Sequence, residues 1–189
     1  RWNICIANRN FKNRSLEEWL HSSTKNNLFF KNNWVADPFI FEDENDKYII
    51  YEKYVYSESK GSIFSRKIID EEGKLEFGKE FKILSNQNHL SYPYTFKRNN
   101  LNFFIPENSK NGGNLYLINK KVINGIATFS AEKIRKLFDG YAIDPSLVRQ
   151  DDLDYLFVSG LNNKFSDVLY VFISSDIISQ PIKMHCCSP

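Results

Sequence analysis

The chain has 189 residues, room for one domain with a buried core. Its 25 Lys and Arg are interspersed with 23 Asp and Glu, and the net charge of +2 leaves no footprint for nucleic acid or an anionic membrane. Aromatic residues make up 15 %, with 16 Phe and 10 Tyr, which favours strands over helices, and no apolar run has the length of a membrane-spanning helix.

In chain order, residues 1–33 form a segment apart from the rest. Within it, residues 3–7 read as a short strand. Ser15-Leu16-Glu17-Glu18-Trp19-Leu20 reads as one or two helical turns, with Ser15 as N-cap and Glu18 three residues on. The Asn-rich stretch 25–33 reads as loop. The opening Arg1-Trp2-Asn3-Ile4-Cys5 lacks both an initiator Met and the apolar core of a signal peptide, so the expectation is a cytoplasmic protein whose N-terminus is missing.

A unit then occurs three times. Ala36-Asp37-Pro38-Phe39, Ser91-Tyr92-Pro93-Tyr94 and Ile143-Asp144-Pro145-Ser146 each open an apolar run, at spacings of 55 and 52 residues. Each run meets a polar turn, near residues 44–45, 99–100 and 151–152, and a second aromatic run ends at Glu52, Glu107 and Ser159. A third strand-like run follows, around 62–64, 114–117 and 168–172. Strand-rich self-similarity at this period predicts propeller blades, with units near 34–88, 89–140 and 141–180 and a tail, 181–189, beginning a further one. Between the units, residues 77–84 read as outer strand and 130–138 as a short helix or a polar-edged strand.

Read as hairpins, the units pair Asp37 with Glu52, Tyr92 with Glu107 and Asp144 with Ser159, unless a bulge intervenes. Pro pushes the residue before it towards extended backbone, so Asp-Pro by itself is an ordinary strand entry. Repeated at equivalent places it acquires a second meaning, because such entries face one central channel. His89 precedes the second motif and falls near the same channel. Trp34, Tyr54, Tyr92 and Tyr94 have the flat faces that stack on sugars. Cys5, Cys186 and Cys187 make no disulfide framework, and His185-Cys186-Cys187 lacks zinc-finger spacing, so neither metal nor cofactor is expected.

Val35-Ala36-Asp37-Pro38-Phe39-Ile40-Phe41 with Lys47-Tyr48-Ile49-Ile50-Tyr51-Glu52 resembles the first blade of five-bladed propellers of the glycoside hydrolase family 43 type, relatives of invertases and levansucrases. Tyr141-Ala142-Ile143-Asp144-Pro145-Ser146-Leu147-Val148 resembles the third-blade entry. His89-Leu90-Ser91-Tyr92-Pro93 and Ile105-Pro106-Glu107-Asn108-Ser109 resemble the N-terminal propeller of glucosamine inositolphosphorylceramide transferases and of bacterial relatives linked to surface-polysaccharide synthesis. The resemblance implies an all-β, five-bladed propeller of which about three blades lie in this chain, completed by a fused transferase segment or another chain.

It also implies roles. Asp37 takes the place of the general base or nucleophile, and Asp144 that of the sugar-positioning carboxylate. The family's acid is a fourth-blade Glu, which has no counterpart here, and Glu107 is the in-chain candidate for that role. His89, Tyr92, Glu52 and Trp34 are the expected substrate-binding residues. The leading expectation is therefore glycan recognition within surface-polysaccharide or glycolipid biosynthesis, with a carbohydrate or glycoconjugate as partner. The alternatives are a glycoside hydrolase or transglycosidase and, more blandly, a protein-interaction propeller.

Overall fold

The computed structural model describes residues 4–6, 26–28, 33–72, 74–161 and 168–188. The helical turns expected at 15–20 lie outside the described residues. The described part is all-β, with one turn of 3-10 helix at Tyr56–Glu58 and no α-helix among the described residues. Strand β1 (Ile4–Ile6) pairs antiparallel with β2 (Asn26–Leu28), so residues 26–28 of the Asn-rich stretch expected as loop are strand, as is Asn33 at the start of the next strand.

Three four-stranded antiparallel meanders follow. The first holds β3 (Asn33–Asp43), β4 (Asp46–Val55), β5 (Lys60–Glu71) and β6 (Lys74–Leu84). The second holds β7 (Leu90–Arg98), β8 (Leu101–Asn108), β9 (Gly113–Ile123) and β10 (Ile126–Phe138). The third holds β11 (Ile143–Gln150), β12 (Leu153–Ser159), β13 (Leu169–Ser174) and β14 (Lys183–Met184). The tail, expected to begin a further unit, thus contributes β14, which pairs with Phe172 and Ile173 of the third sheet.

The hairpin turns fall at the expected centres. Asn99 and Asn100 have φ of 50° and 61°, and Asp151 and Asp152 have 49° and 62°, the double left-handed signature of a turn that matches strand twist. Asn and Asp tolerate that region, so the polar dipeptides fix register.

Alternation along the strands sets what each sheet buries. On β4, Ile49 and Tyr51 face a cluster with Ile4, Val35 and Phe64, whereas Tyr48 and Ile50 face Phe41, Ile63, Leu90, Phe104 and Phe129 between the first two sheets. Ile105, Leu115, Leu147, Leu156 and Phe172 fill the space between the second and third. A strand buried on both faces reads as a near-continuous apolar run, as Tyr48-Ile49-Ile50-Tyr51 does before the buried Glu52 and Lys53. Of the two readings for 130–138, the strand holds. β10 buries Phe129 and Leu137, and bulges between Lys133 and Arg135 and between Lys136 and Phe138 absorb the register shifts.

The first strands of successive sheets are neighbours: β7 lies against β3, and β11 against β7. Polar bonds hold the sheets in place. Thr95 Oγ1 donates to Ile40 O at 3.1 Å, Asn102 Nδ2 to Glu42 O at 2.8 Å and Tyr94 Oη to Leu147 O at 2.5 Å. Asn108 and Ala142 exchange two backbone bonds of 3.0 and 3.2 Å, which tie the end of β8 to the entry of β11.

Candidate functional site

The repeated motif is a repeated bulge. Ala36 pairs with Glu52 but Phe39 with Ile50; Ser91 pairs with Glu107 but Tyr94 with Ile105; Ile143 pairs with Ser159 but Ser146 with Phe157. Two residues, X-Pro, therefore oppose one on the partner strand each time. Proline suits this place because it offers no ladder N–H. The register expected from the turns holds up to the bulge and slips by one beyond it. Glu52, Glu107 and Ser159 consequently oppose Ala36, Ser91 and Ile143 rather than Asp37, Tyr92 and Asp144.

At each bulge the residue before proline is left-handed: φ is 50° at Asp37, 41° at Tyr92 and 47° at Asp144. L-residues avoid this region, and the ring of a following proline disfavours a compact conformation further. Such strain persists where the surroundings enforce it. Asp144 is exposed, so Asp144→Gly is expected to keep or raise stability, whereas Asp144→Val should cost about 1–2 kcal/mol, since a β-branched side chain is least at home there. Urea denaturation of both variants measures the difference.

The bulges gather the site. Asp37 Oδ2 accepts the Tyr92 N–H at 3.3 Å, and Tyr92 Oη lies 3.1 Å from Ser146 Oγ, linking all three motifs. Phe39 packs edge-on against Tyr92 and Tyr94, with ring centres 5.0 and 5.6 Å away. Glu52, 2 % exposed, lies 3.1 Å from His89 Nε2 through Oε1, and His89 Nδ1 accepts the Gly61 N–H at 2.9 Å. Gly61 is required by this approach. A Cβ there would stand 2.4 Å from Glu52 Oε1, 2.5 Å from Leu90 O and 2.9 Å from His89 Cε1.

The carboxylates sense one another. Burial raises the Glu52 pKa, opposed by His89 and reinforced by Asp37. His89 is raised, chiefly by its bond to Glu52, with Glu107 and Asp37 adding to it. Burial and then Asp144 push Glu107 up to about 7, against the pull of the Asp144 backbone N–H and His89. Asp144, exposed as a residue, is raised by partial desolvation of its carboxyl and by Asp37. Asp37, Glu52, His89, Tyr92, Glu107 and Asp144 thus form one cluster, at the starts of β3, β7 and β11 and the adjoining C-terminal ends of β4 and β8.

Glu107 carries a pH signature. Its folded pKa lies above the ordinary carboxyl value, so the folded state gains a proton preferentially. That stabilisation is full below the unfolded pKa and disappears as pH rises through about 7. Wild type is expected to lose stability between pH 5 and 8 relative to Glu107→Gln, which chemical denaturation across pH measures.

Trp34 lies beside the cluster rather than in it. It stacks on its cross-strand partner Tyr54, with ring centres 5.2 Å apart and planes 8° apart, and Tyr54 lies 5.9 Å from the His89 ring. Tyr56 meets Tyr54 edge-on at 5.5 Å. Gly61 was not legible as a site residue. A glycine inside a strand pattern marks a close approach and was the available signal for Gly61.

A second arrangement sits on the tail. His185, Cys186 and Cys187 bring three ligand atoms within 4.8 Å of one another. Cys186 Sγ is 4.0 Å from both His185 Nδ1 and Cys187 Sγ. Ser188 holds the turn, its Oγ accepting the Val171 N–H at 2.8 Å and donating to Val171 O at 2.9 Å. Among the described residues these are the side chains placed to hold a metal ion.

Three four-stranded meanders in series, whose bulged first strands pool carboxylates at one end, define an all-β repeat protein. Residues 19–186 match the family described as glucosamine inositolphosphorylceramide transferase 1, N-terminal, and the chain belongs to it. It is similar to glucosamine inositolphosphorylceramide transferase 1 of Oryza sativa subsp. indica and of Oryza sativa subsp. japonica. Each is 33 % identical over 131 residues, covering 69 % of this chain. The chain spans 16 % of the length of these curated relatives.

Proposed function

We propose that the chain is a carbohydrate-directed domain of the five-bladed propeller type, supplying glycan recognition within glycolipid or surface-polysaccharide biosynthesis. Two observations support the propeller reading: the first strands of successive sheets are neighbours, and successive sheets bury their faces against each other. The family, named for a glucosamine inositolphosphorylceramide transferase, supports the glycolipid context. The observation that carries the functional reading is the convergence of Asp37, Glu52, His89, Glu107 and Asp144 beside the Trp34–Tyr54 stack. Carboxylates and imidazole bond sugar hydroxyls, and flat aromatic faces cover the apolar side of a pyranose.

A glycan array probed with the whole chain tests this. A defined glycan should be retained, and Asp37→Asn should weaken it at least tenfold, because an amide of the same size accepts fewer bonds at lower charge. Retention of no glycan, or binding unchanged in Asp37→Asn, contradicts the reading.

One observation favours a second reading, glycoside hydrolysis or transglycosylation. Glu107, with its pKa pushed up to about 7, keeps a proton near neutrality, as a general acid must. Asp37 then serves as base or nucleophile and Asp144 orients the sugar. Product analysis on any bound glycan decides it: turnover lost in both Asp37→Asn and Glu107→Gln supports catalysis, and binding without turnover leaves recognition.

A further inference from the structure

We infer that the turn after β14, His185-Cys186-Cys187, is a site for a thiophilic metal ion of the zinc class, with two thiolates and one imidazole as ligands and a fourth position open. The site is independent of the glycan-recognition reading. It follows the edge strand of the third sheet, whereas the carboxylate cluster draws on β11 at the sheet's other edge.

The turn brings the ligands together. Successive residues of a strand point to opposite faces, so a Cys-Cys pair in extended backbone does not share an ion. Here Cys186 Sγ lies 4.0 Å from Cys187 Sγ and 4.0 Å from His185 Nδ1, and the three ligand atoms lie within 4.8 Å of one another. Zinc takes sulfur at about 2.3 Å and imidazole nitrogen at about 2.0–2.1 Å in a tetrahedron, which sets ligand atoms roughly 3.6–3.8 Å apart. Small side-chain rotations of the two exposed cysteines close that difference. Zinc-finger spacing, which this sequence lacks, joins ligands from two separate elements; a single turn supplies three without it.

The turn is held in place before any metal arrives. The His185 N–H donates to Val171 O at 2.8 Å, and the Ser188 N–H closes the turn on His185 O at 2.9 Å. Ser188 Oγ accepts the Val171 N–H at 2.8 Å and donates to Val171 O at 2.9 Å. The Cys187 N–H donates to His185 Nδ1 at 3.2 Å. That bond requires the neutral ring to carry its proton on Nε2, so the Nδ1 lone pair faces the turn. At the long end of the ordinary range, it yields readily to a metal ion.

The donor set chooses the ion. Thiolate and imidazole suit zinc, whereas magnesium and calcium take oxygen. Two thiolates balance the two charges of Zn2+, and each thiol releases its proton to water as its sulfur bonds the ion. Three protein ligands leave one tetrahedral position for water or an external ligand.

Calorimetric titration of the whole, reduced chain with Zn2+ tests this. One ion should bind per chain, and Mg2+ and Ca2+ should not bind at this turn. Cys186→Ser, Cys187→Ser and His185→Ala should each weaken Zn2+ at least tenfold, while Cys5→Ser, at the third cysteine of the sequence, should leave it unchanged. Ser188→Ala, which loosens the turn from Val171, should weaken it severalfold. Co2+ in place of zinc should give a thiolate-to-metal charge-transfer band and the intense visible bands of a four-coordinate ion. Urea midpoints of the variants without metal separate ligand loss from unfolding, and the cobalt spectrum of the wild type stands whether or not a variant folds. Absence of Zn2+ binding, binding unchanged in Cys186→Ser or Cys187→Ser, binding lost in Cys5→Ser, or a six-coordinate cobalt spectrum without the thiolate band overturns the inference. Half an ion per chain, with a zinc-dependent dimer, overturns the open single-chain site.

Discussion

Asp154→Ala is expected to destabilise the chain by about 3–5 kcal/mol, the loss that follows when one partner of a buried ion pair is removed. The Asp154 side chain is 0 % exposed. Its Oδ1 lies 2.8 Å from Arg98 Nη2 and 3.1 Å from Arg149 Nη1, and its Oδ2 accepts the Ile177 N–H at 2.8 Å. Alanine leaves two guanidinium groups facing each other and an orphaned backbone donor. The ions sit at the turn ends of β7 and β11, opposite the motif ends, so the loss falls on the joint between the second and third sheets. Arg98 and the other partners hold the Asp154 pKa below the usual value, against the opposing effect of burial. A depressed folded pKa stabilises above the unfolded value and fades as pH falls through the folded one. The gap between wild type and Asp154→Ala is therefore expected to be constant near neutrality and to close in acid. A midpoint unchanged at pH 7 would show that the pair does not hold these sheets.

Gly61→Ala is expected to break the Glu52–His89 contact and to cost about 1–3 kcal/mol, the usual range for overpacking. The new Cβ meets a backbone oxygen, Leu90 O, at 2.5 Å, and a backbone oxygen cannot swing aside as a side chain can. Relief requires β5 to move away from the residues that open the second sheet. The His89 ring then loses the Gly61 N–H and its carboxylate together, so its pKa should fall from the raised value towards that of free histidine. Imidazole proton shifts followed across pH measure this. Glycan affinity should fall with it. An unchanged His89 titration in a folded Gly61→Ala would show that the glycine does not set the pair.

The sequence carried register because register lives in local chemistry. Asn99-Asn100 and Asp151-Asp152 are turn residues by their tolerance of left-handed backbone, and counting outward from them gives the pairs Tyr94–Ile105 and Ser146–Phe157. The bulge at X-Pro breaks that count by one: Ala36 and Phe39, three residues apart, oppose Glu52 and Ile50, two apart, so the alternation changes phase at the motif and counting from the turn cannot carry past it. Residues 130–138 were ambiguous since Ala131, Glu132, Lys133 and Arg135 suit a helix as well as a polar-edged strand, and tertiary pairing with β9 decides. Asp154 was hidden beside two other acids, Asp151 and Asp152. Only the register of β12 turns it inward while Asp151 and Asp152 stay in solvent. Asp37, Tyr92 and Asp144 were legible because a repeat places equivalent residues together. The dependence of Glu52 on Gly61 was not, because a close approach between strands leaves no mark in either strand's own pattern beyond the glycine itself.

The central claim is that three bulged strands build one glycan-binding cluster. Its most direct test is a chemical-shift map of the isotope-labelled chain titrated with the glycan that the array identifies. The account predicts that the largest changes fall on Asp37, Glu52, His89, Tyr92, Glu107 and Asp144, with the indole of Trp34 following. Changes confined to the outer strands β6 and β10, with these residues silent, would contradict it.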